Sequence, residues 1–440
     1  MKRILLLATT TGYQTRAFGE AAERIGAELV FATDRCHLLD DPWQDSAIPI
    51  RFYEEDAAVA AIVEAANTLP IDGVLVVGDR PTVIGARVAE ALELPGHPPG
   101  AAAVARHKLK TRECLRNAGL PAPWFVPLAI EDDSAPAQPL SFPCIVKPVA
   151  LSGSRGVIRA NDPGEFASAL DRLRRLLRSP EIRAERDASL EAALIEEFIP
   201  GAEYAIEGLM HRGRFQLLAL FDKPDPLDGP FFEETIYLTP SSASSTIQSA
   251  IAIAVAEAAS AIGLSQGPVH AECRVSDLPE TGATRVFVLE VAARPIGGLC
   301  ARALRFQSAW PELPSEISLE ELLLRHALGE DPSRYRREPS ASGVMMIPIP
   351  RRGIYRGVDG VEVARRLRYI EDVRITAKAD QLLVPLPEGA SYLGFIFARA
   401  GNVADVERAL RAAHASLTFA VAPEFPLIAP GQMHYNREHG

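Results

Sequence analysis

The stretches "GPVHAECRV" (residues 267–275) and "TRVFVLEVAARPIGG" (284–298) carry the readings on which the fold turns. Successive side chains of a strand point to opposite faces. In the first stretch Val269, Ala271, Cys273 and Val275 therefore form an apolar face, and His270, Glu272 and Arg274 share the other. A turn-rich connection, "SDLPETGA" (276–283), leads to the second stretch, and a hairpin symmetric about Thr281 sets Glu272 directly opposite Glu290. Like charges facing each other across a ladder are destabilising; a divalent cation between them reverses the sign. Two carboxylates without thiolate or paired imidazole suit Mg²⁺ or Mn²⁺, held together with waters and substrate phosphates. The alternatives are a structural network in which both glutamates pair with Arg274 and Arg294, or a ladder shifted by one residue.

Upstream, "SFPCIVKPVALSGSRGV" (141–157) places a lysine between an apolar run and a loop of Ser, Gly and Arg. Of 46 basic residues only six are Lys (2, 108, 110, 147, 223 and 378), so an ammonium at Lys147 is a marked choice. Its stem could lie on the core with the head in water. Against that reading, Ser152, Gly153, Ser154 and Gly156 supply hydroxyls and backbone N–H groups able to approach anionic oxygens. Lysine and loop together read as a phosphate grip. Lys108, with Arg112 one turn later, reads by itself as a solvated helix face. "IEEFIPGAEY" (195–204) is a strand ending in a Pro-Gly turn, with carboxylates at Glu196, Glu197 and Glu203. Such clusters are usually solvated, yet backbone groups at this junction could bond a purine and the later carboxylate ribose hydroxyls. "FDKPDPLDGPFFEET" (221–235) reads as a surface loop, the other option being a roof over an acceptor site through Lys223 or Glu234.

The rest of the chain sets the frame. From residue 1 to about 105, strands ("RILLLAT", "AELVFAT", "DGVLVVG") alternate with helices ("FGEAAERIG", "DAAVAAIVEAANTL", "TVIGARVAEALEL"), which predicts a parallel sheet with helices on its faces. One helix follows at roughly 100–118, then a surface loop, "EDDSAPAQPL" (131–140). From 142 an α+β region of antiparallel strands begins, with helices at about 164–178 and 246–263. The tail from about 335 reads as a third, smaller unit with strands "GVMMIPIP", "DVRITAKA" and "YLGFIFARAG" and a helix at 403–416. With 440 residues, two to four domains are expected. The net charge of −11 argues against a phosphate-backbone partner such as nucleic acid. Five cysteines without a C-x-x-C pair read as reduced thiols in a cytosolic protein. The opening "MKRILLLATTTGY" is too short in apolar residues for a signal peptide, and no membrane partner is expected. Neither G-x-G-x-x-G nor G-x-x-x-x-G-K-[ST] occurs.

Taken in order, "HKLKTRECLRNAGLPAP" (107–123), "CIVKP", "LSGSRGV", "IEEFIPGAEY", "HAECR" and "LEVAARPIGG" resemble the ATP-grasp carboxylate–amine ligases. The resemblance implies an α/β and α+β multidomain fold: a Rossmann-like N-terminal domain at 1–105, an ATP-grasp domain at 106–330 with lobes at about 122–200 and 201–330, and an α+β domain at 331–440. It implies that Lys108 and Lys147 contact ATP phosphates, that loop 152–156 closes over them, that Glu197, Phe198 and Ile199 hold adenine, with Glu196 beside them, and that Glu203 holds ribose. Glu272 and Glu290 would bind Mg²⁺ (or Mn²⁺), and Arg294 would steady the reacting phosphoryl and acyl oxygens. His270 would bind the substrate carboxyl or take a proton from the attacking amine, the alternative being a neutral structural histidine.

One departure stands out: the family commonly places Asn two residues after the second glutamate, and here the residue is Ala292. "E-V-A-A-R" with "V-H-A-E" is similar to the L-amino acid ligase branch, which joins two free amino acids into a dipeptide. The implied chemistry is ATP-dependent phosphorylation of a carboxylate to an acylphosphate, then attack by an amine. The expected partners are small-molecule carboxylate and amine substrates; a homodimer is an open option. Two other classes stay open: a ligase for a non-amino-acid carboxylate or amine, and a nucleotide-binding module without catalysis.

Overall fold

The structure is a computed structural model that describes residues 1–9, 14–34, 47–131, 139–277, 284–308, 310 and 314–424. Residues 132–138 and 278–283 of the expected loops, and Cys36, lie outside these residues. The other four cysteines are free thiols.

The first sheet is parallel, in the order Ile48–Pro49, Ala27–Thr33, Lys2–Ala8, Gly73–Val77. Its Lys2–Ala8 strand is apolar on both faces because both are covered. Ile4, Leu6 and Ala8 enter a core shared with the largest sheet, and Leu5 and Leu7 enter a second core with Ile62, Ile84 and Val88.

A four-stranded antiparallel sheet follows, in the order Phe125–Ala129, Ala192–Glu197, Cys144–Pro148, Ile158–Ala160. The helix Pro163–Leu177 starts at Asp162, whose carboxylate accepts the N–H groups of Gly164 and Glu165. It covers one face with Leu170, Leu173, Leu176 and Leu177, against Cys144, Val146, Ala193 and Ile195. Period-two alternation then sends Ile145 and Lys147 to the opposite face.

The largest sheet has eight antiparallel strands: Thr284–Ala292, Gly267–Asp277, Ala202–His211, Arg214–Asp222, Ile236–Thr239, Ala341–Ile347, Gly394–Ala400 and Ile370–Ile375. Three strands of the tail thus extend this sheet, while Leu382–Leu383, Gly353–Asp359 and Thr418–Ala422 form a separate one. Among the described residues, Ser245–Ile262 is the helix long and apolar enough to cross a membrane; its Ile251, Val255, Ala258 and Ile262 instead pack on the sheet.

One expected helix is two. Pro99–Ala105 and Lys108–Asn117 are separated at His107, whose ring accepts the N–H of Lys110 as an N-cap. The Lys108 N–H is taken by the Val149 carbonyl at 2.9 Å, tying the second helix to the four-stranded sheet.

Candidate active site

The Glu272–Glu290 hairpin has the expected register at its functional end. Glu272 pairs with Glu290 and His270 with Ala292, and then the ladder slips, so that Cys273 pairs with Val288. Leu289 is the extra residue of a β-bulge. Its effect is a change of phase: Val286 and Val288 face the core before it, Val291 and Ala293 after it. Leu289 and Glu290 are left together at the cleft. On the partner strand Val269, Ala271 and Cys273 are core and His270, Glu272 and Arg274 face the cleft, as alternation requires.

The three sheets meet around one cavity of about 450 Å³. Lys108, Lys147, Ser152, Gly153, Ser154, Glu196, Glu197, Phe198, Ile199, Glu203, His270, Glu272, Glu290 and Arg294 all line it. Gly156 does not. Its N–H is bonded to Pro387 O at 2.8 Å, and at φ +75° a Cβ would stand 3.0–3.2 Å from Leu173, Leu176 and Pro148, so its part is to let the loop turn against the helix. Two hinge groups expected to meet adenine are also engaged: the Phe198 N–H with Pro143 O (3.3 Å) and the Ile199 carbonyl with Arg274 (2.7 Å).

At one end of the cleft the charges form a cation-rich knot. Arg112 is not a solvated residue but 1% exposed, bonded to Glu196 at 2.8 Å and to the carbonyls of Val288 and Leu289. Lys147 pairs with the same Glu196, and Lys108 reaches Leu151 O (2.8 Å) and Glu290 (3.2 Å). Burial alone would raise the Glu196 carboxyl, but Arg112 and Lys147 hold it down at about 2. Burial pushes the Lys147 ammonium down; Glu196 opposes this, and Arg112 and Lys108 add to the fall, leaving it at about 8. A second anion would be welcome here.

At the centre the balance is reversed. Lys223, expected on a surface loop, is buried between Glu203 (2.8 Å), Glu234 and Glu272 (3.4 Å). Glu203 also takes Arg274 at 2.7 Å. The alternative pairing of Glu272 and Glu290 with Arg274 and Arg294 does not form. Burial and the neighbouring Glu234 push Glu272 well up, Lys223 only partly offsetting them. Oxygens of Glu203, Glu234 and Glu272 lie within 4.8 Å of one another, while Glu290 leans to Lys108. The ionised form of Glu272 is thus disfavoured beside a second carboxylate, and a divalent cation between them would supply the missing positive charge. Ala292, buried opposite His270, adds no oxygen to it.

Beyond Glu272 the cleft reaches the parallel sheet. Asp79 follows the Gly73–Val77 strand and grips Arg294 with two hydrogen bonds, at 2.8 and 3.0 Å. Burial would raise Asp79, but Arg294 and then Lys108 hold it low. Asp79 was missed by motif reading, although its place past the carboxyl end of a parallel strand, where such sheets bind ligands, was a usable signal. Glu207 was missed for want of any local pattern, and Arg112 was placed on a solvated helix face because its buried partners lie far away in the chain. Tyr237, Cys300, Met346, Tyr392 and Phe395 also line the cavity, with the Tyr237 ring 5.1 Å from the Lys223 ammonium.

Three family models match in chain order: ATP-grasp N-terminal domain at 19–96, ATP-grasp domain at 140–303, and L-amino acid ligase C-terminal domain 2 at 345–422. The chain belongs to the ATP-grasp superfamily. Within it, the chain is similar to an L-amino acid ligase from Bacillus licheniformis, with 27% identity and a TM-score of 0.76 over 96% of this chain and 99% of that one. It is 28% identical over 257 residues to an alanine–anticapsin ligase of Bacillus subtilis, 55% of this chain and 52% of that protein. A D-alanine–D-alanine ligase of Aromatoleum aromaticum is 30% identical over 226 residues, 50% of this chain and 65% of that one. The match spans about half the length of the alanine–anticapsin ligase.

Proposed function

We propose that the protein joins two amino acids at the expense of ATP, through an acylphosphate. The observation that carries this reading is the Asp79–Arg294 pair, set in the same cleft as Lys108, Lys147 and the Ser-Gly loop. An α-amino acid presents one anion and one cation, so a paired carboxylate and guanidinium match both its ends. The L-amino acid ligase match at 345–422 supports the same substrate class.

Lys108, Lys147 and the loop at 152–154 bind the ATP phosphates, where Glu196 leaves a surplus of positive charge. Phosphoryl transfer needs positioning and charge neutralisation more than covalent help. Arg294 steadies the acyl and phosphoryl oxygens. Glu272 and Glu290 would hold Mg²⁺, which supplies charge neutralisation at the transferring phosphate. An acylphosphate is lost to water, and the loop packs on the segment 387–390 through Gly156 N–H to Pro387 O (2.8 Å) and Arg155 to Glu388 O (2.7 Å), closing one side of the cleft. His270 then receives the proton released by the attacking amine.

The test is phosphate release from Mg-ATP, scanned over single L-amino acids and pairwise mixtures, with mass spectrometry on each positive well. A condensed product that requires two amino acids is expected. Release stimulated only by other carboxylates or amines, without any dipeptide, overturns the substrate assignment.

A further inference from the structure

Behind the cleft wall lies a carboxylate that the chemistry above does not use. Glu207 belongs to the Ala202–His211 strand and stands directly opposite His270 in the antiparallel ladder. It is 0% exposed. Its Oε2 accepts the backbone N–H of Ile296 at 3.1 Å and lies 3.2 Å from His270 Nδ1, while its buried Oε1 has no hydrogen-bond partner among the described residues.

The Ile296 N–H can only donate, so Oε2 must accept. A carboxyl oxygen in that role is of the carbonyl or carboxylate type, and any proton on the group sits on Oε1. Burial favours such a proton, with Arg294 and the Ile296 N–H opposing it, and neither state alters what Oε2 does. The imidazole nitrogen that meets an acceptor must be the one that bears hydrogen. Nδ1–H therefore points back into the sheet, and in the neutral ring Nε2 faces the cavity with its lone pair; Glu272, 3.9 Å from Nε2, is too far to take a hydrogen bond from it.

We propose that Glu207 is a positioning residue, which fixes the His270 tautomer whose Nε2 lone pair meets the reacting amine. This rests on the amide-forming reading above. In that step the amine nitrogen forms a bond to the acyl carbon, the carbon–oxygen bond to phosphate breaks with its electron pair leaving on phosphate, and one N–H proton passes to His270 Nε2. A neutral imidazole of the other tautomer would present N–H to the amine and could not accept.

The first readout needs no turnover. Long-range ¹H–¹⁵N NMR of the full-length protein labelled with ¹⁵N-histidine, assigned with His270→Gln, reports which ring nitrogen carries hydrogen. Wild type is expected to show a protonated Nδ1 and a bare Nε2. In Glu207→Gln the amide oxygen must still face Ile296, so the tautomer is kept, with turnover between those of wild type and Glu207→Leu. Glu207→Leu is expected to lose the single tautomer and about 10²- to 10⁴-fold in kcat, the range of general-base catalysis. ATP affinity and the KM for the amine substrate should change only a few-fold, which also reports a folded nucleotide site. A bare Nδ1 in wild type overturns the proposal. So does Glu207→Leu with the wild-type tautomer and kcat within a few-fold. If no amide forms from any amino acid pair yet the wild-type tautomer is as stated, the ligase reading fails and the positioning by Glu207 stands.

Discussion

Glu196 is one anion shared by two buried cations, Arg112 and Lys147, with Lys108 beside them leaning to Glu290, and on the function proposed above that local surplus of positive charge receives phosphate. Removing one member of a buried charge network leaves the others desolvated and unpaired. Glu196→Ala is expected to cost about 3–5 kcal/mol in chemical denaturation; a loss under about 1 kcal/mol, the worth of an exposed pair, would show that the knot is not a buried one. On the function proposed above, Lys147→Ala, Glu290→Ala and Arg294→Ala should each fold and lose roughly 100- to 1,000-fold in turnover, as electrostatic stabilisers of transition-state charge do. Wild-type turnover in any one of them removes that residue from the reaction. The place of Lys147 in the cleft was legible from its rarity and its loop, whereas the burial of Lys223 was not, because Glu203, Glu234 and Glu272 close on it only when two strands and the segment before Ile236 come together.

The hairpin at 267–292 works because of its bulge. A regular ladder would send Leu289 and Glu290 to opposite faces; one extra residue lets both sides of the bulge feed the same core and turns Leu289 and Glu290 to the cleft. Pairing of Glu272 with Glu290 was readable from the spacing about Thr281, but the slip beyond it was not, since bulges are settled by packing against the helix Ser245–Ile262. The turn that leads into Glu203 is equally constrained. Gly201 has φ +112°, and a Cβ there would stand 2.0 Å from Val275 O. Gly201→Ala should lose about 1–3 kcal/mol, the cost of a strained backbone site, read as a lowered Tm; an unchanged Tm would show that the turn can move aside.

The molecule as a whole brings the parallel sheet, the four-stranded sheet and the eight-stranded sheet to one cavity. Histidines sit where the parts join: His97 bonds Pro268 O at 3.0 Å, and His326 lies 3.2 Å from His211 Nδ1 and 3.0 Å from Gln266. Burial lowers His97 and His326 from 6.5 to about 4 each. Between those values the unfolded chain binds protons that the folded one refuses, so their contribution is complete above pH 6.5 and is lost as pH falls towards 4. Tm is expected to fall between pH 7 and pH 5, and His326→Gln to flatten that slope; a slope unchanged in the variant would place the acid sensitivity elsewhere. Asp79 carries the parallel sheet's share of the site. Asp79→Ala should leave ATP binding within a few-fold while lowering turnover by about tenfold or more, the cost of loosening a group that must be placed to within an ångström.

By itself the sequence determined what local order can encode. Strand alternation put His270, Glu272 and Arg274 on one face, β–α alternation gave a parallel sheet, and the motif order pointed to the superfamily. Only the tertiary structure decided the partners of each charge. Asp79 meets Arg294, Glu196 meets Arg112, Glu207 meets His270, and Lys223 meets three carboxylates at once. The physical reason is that periodicity is a property of neighbours along the chain, whereas the desolvation that forces a buried charge to find a partner acts between strands brought together only by folding.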